Sequence, residues 1–510
     1  MEEIELKLRI APSAFGRLAR TPLLKNAQWR SPRRMLTNIY FDTTERDLHA
    51  RRVALRLRKQ GRLWLQTVKQ AGTTAGGLSQ RPEWEQVHRG RWDFSQITDT
   101  KLARLLTRYR DLGRLQPVFE TRFARDTWHI SHAGSSLQLM ADRGEIRCGA
   151  RVVPLTEIEL ELVSGNPLAL YECALALAES LPLVPDDVSK AERGYALLAA
   201  RQPAPRYAQS VAIDADTSPS GALRRLAEEC LAHMHANADG AASGADPEYV
   251  HQMRVALRRL RSVLRSFEPC IAPELSERFL PRWRALAATL GEGRDWDVIA
   301  TEILPPLLAD DRELTASGLA DRVAEARAAA QARIRSTLAE PSYGRLLLEF
   351  SAMLWRLDSR QEGHSVTSID GPSSGPTPSL SAYVADRLRR ARKQVAKKSE
   401  RALTSMRDAD LHALRIAIKR LRYALDCFAP LLPVRRTRAY LKALSALQSD
   451  LGSINDLATT TRRLLDIADG DRAMTDAVVR IAAWHGERAR RARKRLPEHI
   501  RALSNSPLPW

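Results

Sequence analysis

Cysteine is scarce in this chain of 510 residues. Cys148, Cys173, Cys230, Cys270 and Cys427 are scattered, odd in number and never spaced as Cys-x-x-Cys. That pattern argues against a disulfide framework and against a zinc ribbon, and it fits a reducing compartment. Long apolar runs are missing too, so no transmembrane helix of roughly 18 or more residues is expected and no membrane partner of that kind. The chain opens directly on a charged segment, which predicts no signal peptide and a soluble, cytoplasmic protein. Acid is in deficit: 60 Asp and Glu face 80 Lys and Arg, for a net charge of +20 and a pI near 10.2. Such an excess predicts a polyanionic partner without choosing among nucleic acid, anionic membrane and polyphosphate. The length predicts about three domains.

What is present begins with Met1 to Arg9. Glu3, Glu5 and Lys7 alternate with Ile4, Leu6 and Leu8, so a strand here has one apolar face and one charged face. Any half-buried strand alternates in this way. Strand character recurs at 36–43, 53–59, 63–70, 81–87, 118–130, 137–142, 145–151 and 156–163, with Gly61-Arg62 suggesting a hairpin. Helical spacing is best at 14–24, 101–112 and 167–181. The alternating positions carry like charges: Arg56 with Arg58, Glu83 with Glu85, and Glu157 with Glu159 and Glu161. Lys69, Arg122, Arg125 and Asp142 add to them. One such strand is a solvated face; several strands with both signs fit a closed barrel with a polar interior. Grouped carboxylates ask for a hard divalent cation, Mg²⁺ or Mn²⁺. Grouped Arg and Lys ask for phosphate oxygens. Together they describe a site for a metal-bound polyphosphate. Arg122 and Arg125 differ by three, so both enter the interior only if a bulge intervenes.

The ordered set Glu3-x-Glu5-x-Lys7, Tyr40-Phe41-Asp42-Thr43, Leu55-Arg56-Leu57-Arg58, Thr67-Val68-Lys69, Glu83-Trp84-Glu85, Asp142-Arg143-Gly144, Glu159-Leu160-Glu161 and Ser189-Lys190 with Arg193-Gly194-Tyr195 resembles the CYTH superfamily, the triphosphate tunnel metalloenzymes. The resemblance covers roughly residues 1 to 200. It implies an eight-stranded antiparallel tunnel and hydrolysis of a terminal phosphoanhydride with Mg²⁺ or Mn²⁺. It makes Glu3, Glu5, Asp142, Glu157, Glu159 and Glu161 metal candidates, with the pair among the last three that matches the family left open. It makes Lys7, Arg56, Arg58, Lys69, Arg122, Arg125 and Lys190 phosphate-binding candidates. Glu3, Glu5, Lys7, Lys69, Glu83 and Glu85 form the candidate catalytic set. Arg193 and Tyr195 serve equally well as helix packing.

Residues 204–219 read as a breaker-rich linker in which Asp216, Thr217 or Ser218 caps the next helix. Beyond it the spacing turns helical. His251, Arg254, Arg258 and Arg261 stand at i, i+3, i+7 and i+10, and His412, Arg415, Lys419 and Arg422 repeat them at an offset of 161. The same offset carries Leu290-Gly291 onto Leu451-Gly452 and Asp295 onto Asp456, which marks a duplication. A cationic stripe without acid partners repels itself, so a polyanion-binding role is expected. The paired stripes resemble the CHAD domain, which implies two four-helix halves (220–360 and 380–505) binding inorganic polyphosphate along a basic groove. Gly/Ser/Pro-rich residues 361–379 separate the halves and are expected to be disordered.

The sequence thus predicts an α+β chain: a CYTH-like tunnel over 1–203, then a CHAD-like helical domain over 220–505. The function these resemblances imply is metal-dependent hydrolysis of inorganic triphosphate in the tunnel, with polyphosphate bound by the helical part and residence extending to polyphosphate granules. Thiamine triphosphate or nucleoside triphosphate hydrolysis, class IV adenylate cyclisation and a non-catalytic polyphosphate adaptor are the alternatives. Specific nucleic-acid binding is not expected, because no RNP, helix-turn-helix or zinc motif accompanies the charge. The oligomeric state is open.

Overall fold

The computed structural model describes residues 2–200, 204–214, 216–362 and 379–510, except the side chains of 358–362, 456 and 458. Most of the expected disordered segment 361–379 and the side chain of Asp456 lie outside the described residues. The chain forms two compact units, Met1–Pro205 with Ala339–Arg356, and Arg206–Leu338 with Leu357–Trp510.

The first unit is an antiparallel sheet of β1 (Glu2–Ile10), β2 (Trp29–Asp42), β3 (Val53–Gln60), β4 (Leu63–Gln70), β5 (Thr73–Ala75), β6 (Leu78–Val87), β7 (Gln116–His132), β8 (Ser135–Cys148), β9 (Arg151–Ser164) and β10 (Leu183–Pro185). The order β1-β9-β8-β7-β2-β3-β4-β6 returns to β1 through a β1–β6 pairing, so eight strands close into a barrel. This is the antiparallel barrel that the alternation and the resemblance led us to expect. The β3–β4 hairpin turns on Gly61 and Arg62, with Gln60 opposite Leu63 and Gly61 at φ 61°.

Two expectations of local structure change. Residues 14–24 form three short turns, Pro12–Phe15, Leu18–Arg20 and Pro22–Lys25, because Gly16 and Pro22 interrupt the pattern. Residues 137–142 and 145–151 were expected as two strands, but 137–148 run unbroken through Gly144 within β8. A Cβ at Gly144 would lie 2.0 Å from the Arg122 carbonyl oxygen, so this glycine marks a close approach of β7 rather than a turn.

Outward positions of β1, β8 and β9 (Leu6, Leu8, Leu137, Leu139, Ile158, Leu160) pack under helix Leu168–Ala178. Leu348 and Ala352, both fully buried, join the same cluster from helix Pro341–Glu362. Gly344 brings that helix close, since a Cβ there would lie 1.9 Å from the Leu183 carbonyl oxygen. Arg356 then pairs with Glu172 at 3.0 Å. Residues 339–356 therefore complete the barrel unit, although they lie far along the chain.

The second unit is all helix among its described elements. Helices begin at Pro219, Pro247 and Pro273, and at an offset of 161 others begin at Leu380, Asp408 and Val434. Leu319–Ala339 and Arg472–Asn505 follow them. The Ser218 hydroxyl caps the first of these helices by accepting from Gly221 N at 3.1 Å. Residues of the expected linker lie along that helix: Arg206 N donates to Asn237 Oδ1 at 3.1 Å and Gln209 N to Glu229 Oε1 at 2.9 Å. No helix among the described residues is long and apolar enough to cross a membrane.

Candidate active site

Residues directly opposite in adjacent strands share a face. The register therefore fixes which side chains enter the barrel. Around the wall the inward positions pair Glu3 with Arg81, Glu5 with Glu161, Lys7 with Glu159, Glu157 with Asp142 and Asp142 with Arg125. On the remaining strands Arg58 faces Asn38, Arg56 faces Tyr40 and Thr67, Glu85 faces Thr67, and Glu83 faces Lys69. The odd positions of β1 look inward and its leucines outward, so its polar face lines the cavity.

One acidic group consists of Asp142, Glu157 and Glu159, whose carboxylate oxygens come within 4.8 Å of one another. Lys190 reaches all three, at 2.8 Å from Asp142 and 2.9 Å from Glu159, with an ion pair to Glu157 as well. Arg125 grips Asp142 at 2.6 Å and Glu159 at 2.8 Å. Burial alone would push the Glu159 carboxyl up, but Lys190, Arg125 and Lys7 outweigh it and hold it well below the usual range. Lys190 opens helix Lys190–Ala199, whose Gly194 lies against Phe119 where a Cβ would be 2.1 Å from the ring. From the same helix Arg193 pairs with Asp186 and, at 3.3 Å, with Glu157. Tyr195 donates to Asp42 at 2.7 Å and stacks on His49.

The second group joins Glu3, Glu5, Glu83, Glu85 and Glu161. Lys69 bonds Glu3 at 2.7 Å and Glu83 at 3.1 Å. Arg81 bonds Glu3 at 3.1 Å and Glu5 at 2.5 Å. Arg56 lies 3.8 Å from Glu83 and Arg58 3.6 Å from Glu85, which also accepts from Thr67 at 2.7 Å. Burial would raise Glu83 and Glu85, but Lys69 and Arg56 for the one, and Arg58 and Arg56 for the other, leave both lowered. Glu161 goes the other way: burial, and then the neighbouring Glu3, push its carboxyl up to about 7 against the pull of Lys69. Burial and the adjacent Arg56 bring Arg58 down to about 10.

Most sequence-predicted residues meet inside this barrel: Glu3, Glu5, Lys7, Arg56, Arg58, Lys69, Glu83, Glu85, Arg125, Asp142, Glu157, Glu159, Glu161 and Lys190. Arg122 does not. No bulge separates it from Arg125 in the β7–β8 pairing, so it points outward, 57 % exposed, beside Glu120 at 3.5 Å. It is withdrawn from the phosphate-binding set. Sequence reasoning missed Arg81, although it shares the alternation of Glu83 and Glu85, and Asn38, which takes the Arg58 guanidinium at 3.0 Å.

The donor set fits a hard divalent cation. The inward acids offer hard carboxylate oxygens, and Glu161 is a half-buried one whose ionised form is disfavoured by desolvation and then by Glu3. A cation beside Glu161 relieves that cost. A cation would have to expel Lys190 from Asp142, Glu157 and Glu159, or Arg81 and Lys69 from Glu3 and Glu5.

In the helical unit the stripe residues lie half-buried, except for His412, which is exposed. Arg254 donates to the Gly291 carbonyl at 2.7 Å and lies 3.5 Å from Asp295, which also holds Arg463 at 2.8 Å. Arg258 sits over the Tyr423 ring, 5.3 Å from its centroid. Burial and the nearby Arg284 and Arg420 lower Arg261, and burial with Arg420 and Arg261 lowers Arg265. Burial, then Arg294, lowers His251. His412 Nδ1 lies 2.9 Å from Asn455 Oδ1, and Arg422 donates to Gln448 at 3.1 Å. Arg415 and Lys419 sit at the matching positions of helix Asp408–Phe428.

Residues 1–195 match the CYTH domain model and residues 225–465 the CHAD domain model. An inorganic triphosphatase of Haemophilus influenzae is 31 % identical over 212 residues, 39 % of this chain and 55 % of that protein. An uncharacterised Mycobacterium tuberculosis protein is 31 % identical over 178 residues, 34 % of this chain and 33 % of that protein. These alignments span little more than half, or a third, of the curated relatives' length. The crystal structure of the CHAD domain from Ricinus communis is 31 % identical and superposes with a TM-score of 0.52, covering 61 % of this chain and 99 % of that one.

Proposed function

We propose, for a chain that belongs to the CYTH family through its first 195 residues and to the CHAD family through residues 225–465, that the barrel hydrolyses inorganic triphosphate to diphosphate and phosphate with a divalent cation. The observation that carries this reading is the inward face itself. It alternates cations able to grip phosphate oxygens with carboxylates able to hold a hard ion, in one closed cavity. The likeness to a Haemophilus protein named an inorganic triphosphatase supports the choice of substrate.

Lys7, Arg56, Arg58, Lys69, Arg125 and Lys190 would neutralise the three phosphates and hold the scissile anhydride in line with a water. Their guanidinium and ammonium donors stand ready before substrate arrives, because the inward carboxylates hold them in place. Glu3, Glu5 and Glu161, with Glu159 behind them, would hold Mg²⁺ or Mn²⁺, which supplies further neutralisation of phosphate charge. The helical unit would bind long-chain polyphosphate at Arg258, Arg261, Arg265, Arg284 and Arg420, a cluster in which burial and the neighbouring guanidiniums lower Arg261 and Arg265.

The test is phosphate release from inorganic triphosphate, ATP and thiamine triphosphate in parallel, with Mg²⁺, with Mn²⁺ and with chelator. Metal-dependent release fastest on inorganic triphosphate is expected. Equal or faster release from a nucleotide would change the substrate, and no release from any of the three would remove the enzymatic reading.

A further inference from the structure

Arg81 holds two carboxylates that the proposed cation would need. Its Nε lies 3.1 Å from Glu3 and its terminal nitrogen 2.5 Å from Glu5. Glu5 is 2 % exposed, so leaving its charge alone in the barrel would be costly. Lys69 also serves Glu3, at 2.7 Å from both of its oxygens. For Glu5, the contact that the described side chains supply is Arg81.

We propose that Arg81 is an internal counter-ion that keeps Glu3 and Glu5 in place until a divalent cation takes both carboxylates from it. A guanidinium and a divalent ion compete for the same carboxylates, because the two cations repel each other at short range in a buried site. The displaced guanidinium has a matching acceptor in the incoming substrate, since its fork fits two phosphate oxygens. Arg81 would thus pass from carboxylate to phosphate as ion and triphosphate enter together. This inference rests on the metal-binding reading above and says what the ion must displace.

The experiment is a Mn²⁺ titration of the full chain without substrate, followed by loss of the free-ion signal in electron paramagnetic resonance. Wild type, Arg81→Met, Arg81→Lys and Arg81→Gln are compared, with Glu5→Gln identifying the barrel site by its loss. Arg81→Met and Arg81→Gln should bind Mn²⁺ about tenfold more tightly or better, because a competing charge is gone. Arg81→Lys, which keeps the charge, should stay close to wild type. In chelator the two neutral variants should melt at lower temperature than wild type and recover with Mn²⁺. Unchanged or weaker Mn²⁺ binding by both neutral variants overturns the counter-ion role. Absence of any Glu5-dependent Mn²⁺ binding in wild type overturns the metal reading itself.

Discussion

Replacing Glu161 by Gln tests the electrostatics of the barrel most directly. Burial and Glu3 lift its carboxyl from an ordinary 4.5 to about 7. At 1.36 kcal/mol per unit, ionising it inside the metal-free barrel costs about 3 kcal/mol. The folded value is raised, so the folded state binds this proton more tightly than the unfolded chain. The cost is therefore absent below about 4.5, grows as pH rises, and is complete above about 7. In chelator at pH 8.5, Glu161→Gln should stabilise the barrel by up to about 3 kcal/mol, and by only roughly 1 kcal/mol at pH 5.5. Hydrogen exchange of β1 and β9 amides reads this locally, without the helical unit. Adding Mn²⁺ should reverse the order, because wild type gains a ligand that the variant lacks. Below about pH 7, Mn²⁺ affinity in wild type should fall by about tenfold per unit as Glu161 protonates, and this slope should flatten in Glu161→Gln. A variant no more stable than wild type at pH 8.5 in chelator would refute the reasoning.

Other outcomes follow from the same contacts. Lys190→Met leaves Asp142, Glu157 and Glu159 short of a cation and should cost about 3–5 kcal/mol of barrel stability at neutral pH; urea unfolding at wild-type midpoints would count against it. Leu348→Ala removes a fully buried side chain from the barrel cluster, so the barrel should lose about 2–5 kcal/mol although the mutation lies within the CHAD match. Protection of β1 amides identical to wild type would show that residues 339–356 are dispensable to it. Arg261→Glu with Arg420→Glu should weaken long-chain polyphosphate binding at least tenfold and leave triphosphate hydrolysis unchanged. Wild-type polyphosphate binding should also fall steeply with salt, and a salt-insensitive affinity would exclude the basic groove.

The sequence alone determined the alternation, and alternation with period two settles which side chains share a face. Glu3, Glu5 and Lys7, Arg56 and Arg58, and Glu157, Glu159 and Glu161 were legible as inward sets for that reason. The 161-residue offset exposed the helical repeat in the same way, because duplicated helices keep their charged stripes in register. Only the tertiary structure decided which inward charges touch. Arg81 was hidden because its partners Glu3 and Glu5 lie across the closure of the barrel, 76 or more positions away. Arg122 was misjudged because the count from Arg125 crosses faces unless a bulge intervenes, and bulges are set by strand pairing. Lys190 reaches the carboxylates from a helix whose docking depends on Gly194 meeting Phe119. The assignment of residues 339–356 to the barrel could not be read along the chain. A helix's apolar stripe tells that it must be covered, and the closest fit in three dimensions, here Gly344 against Leu183, tells by what.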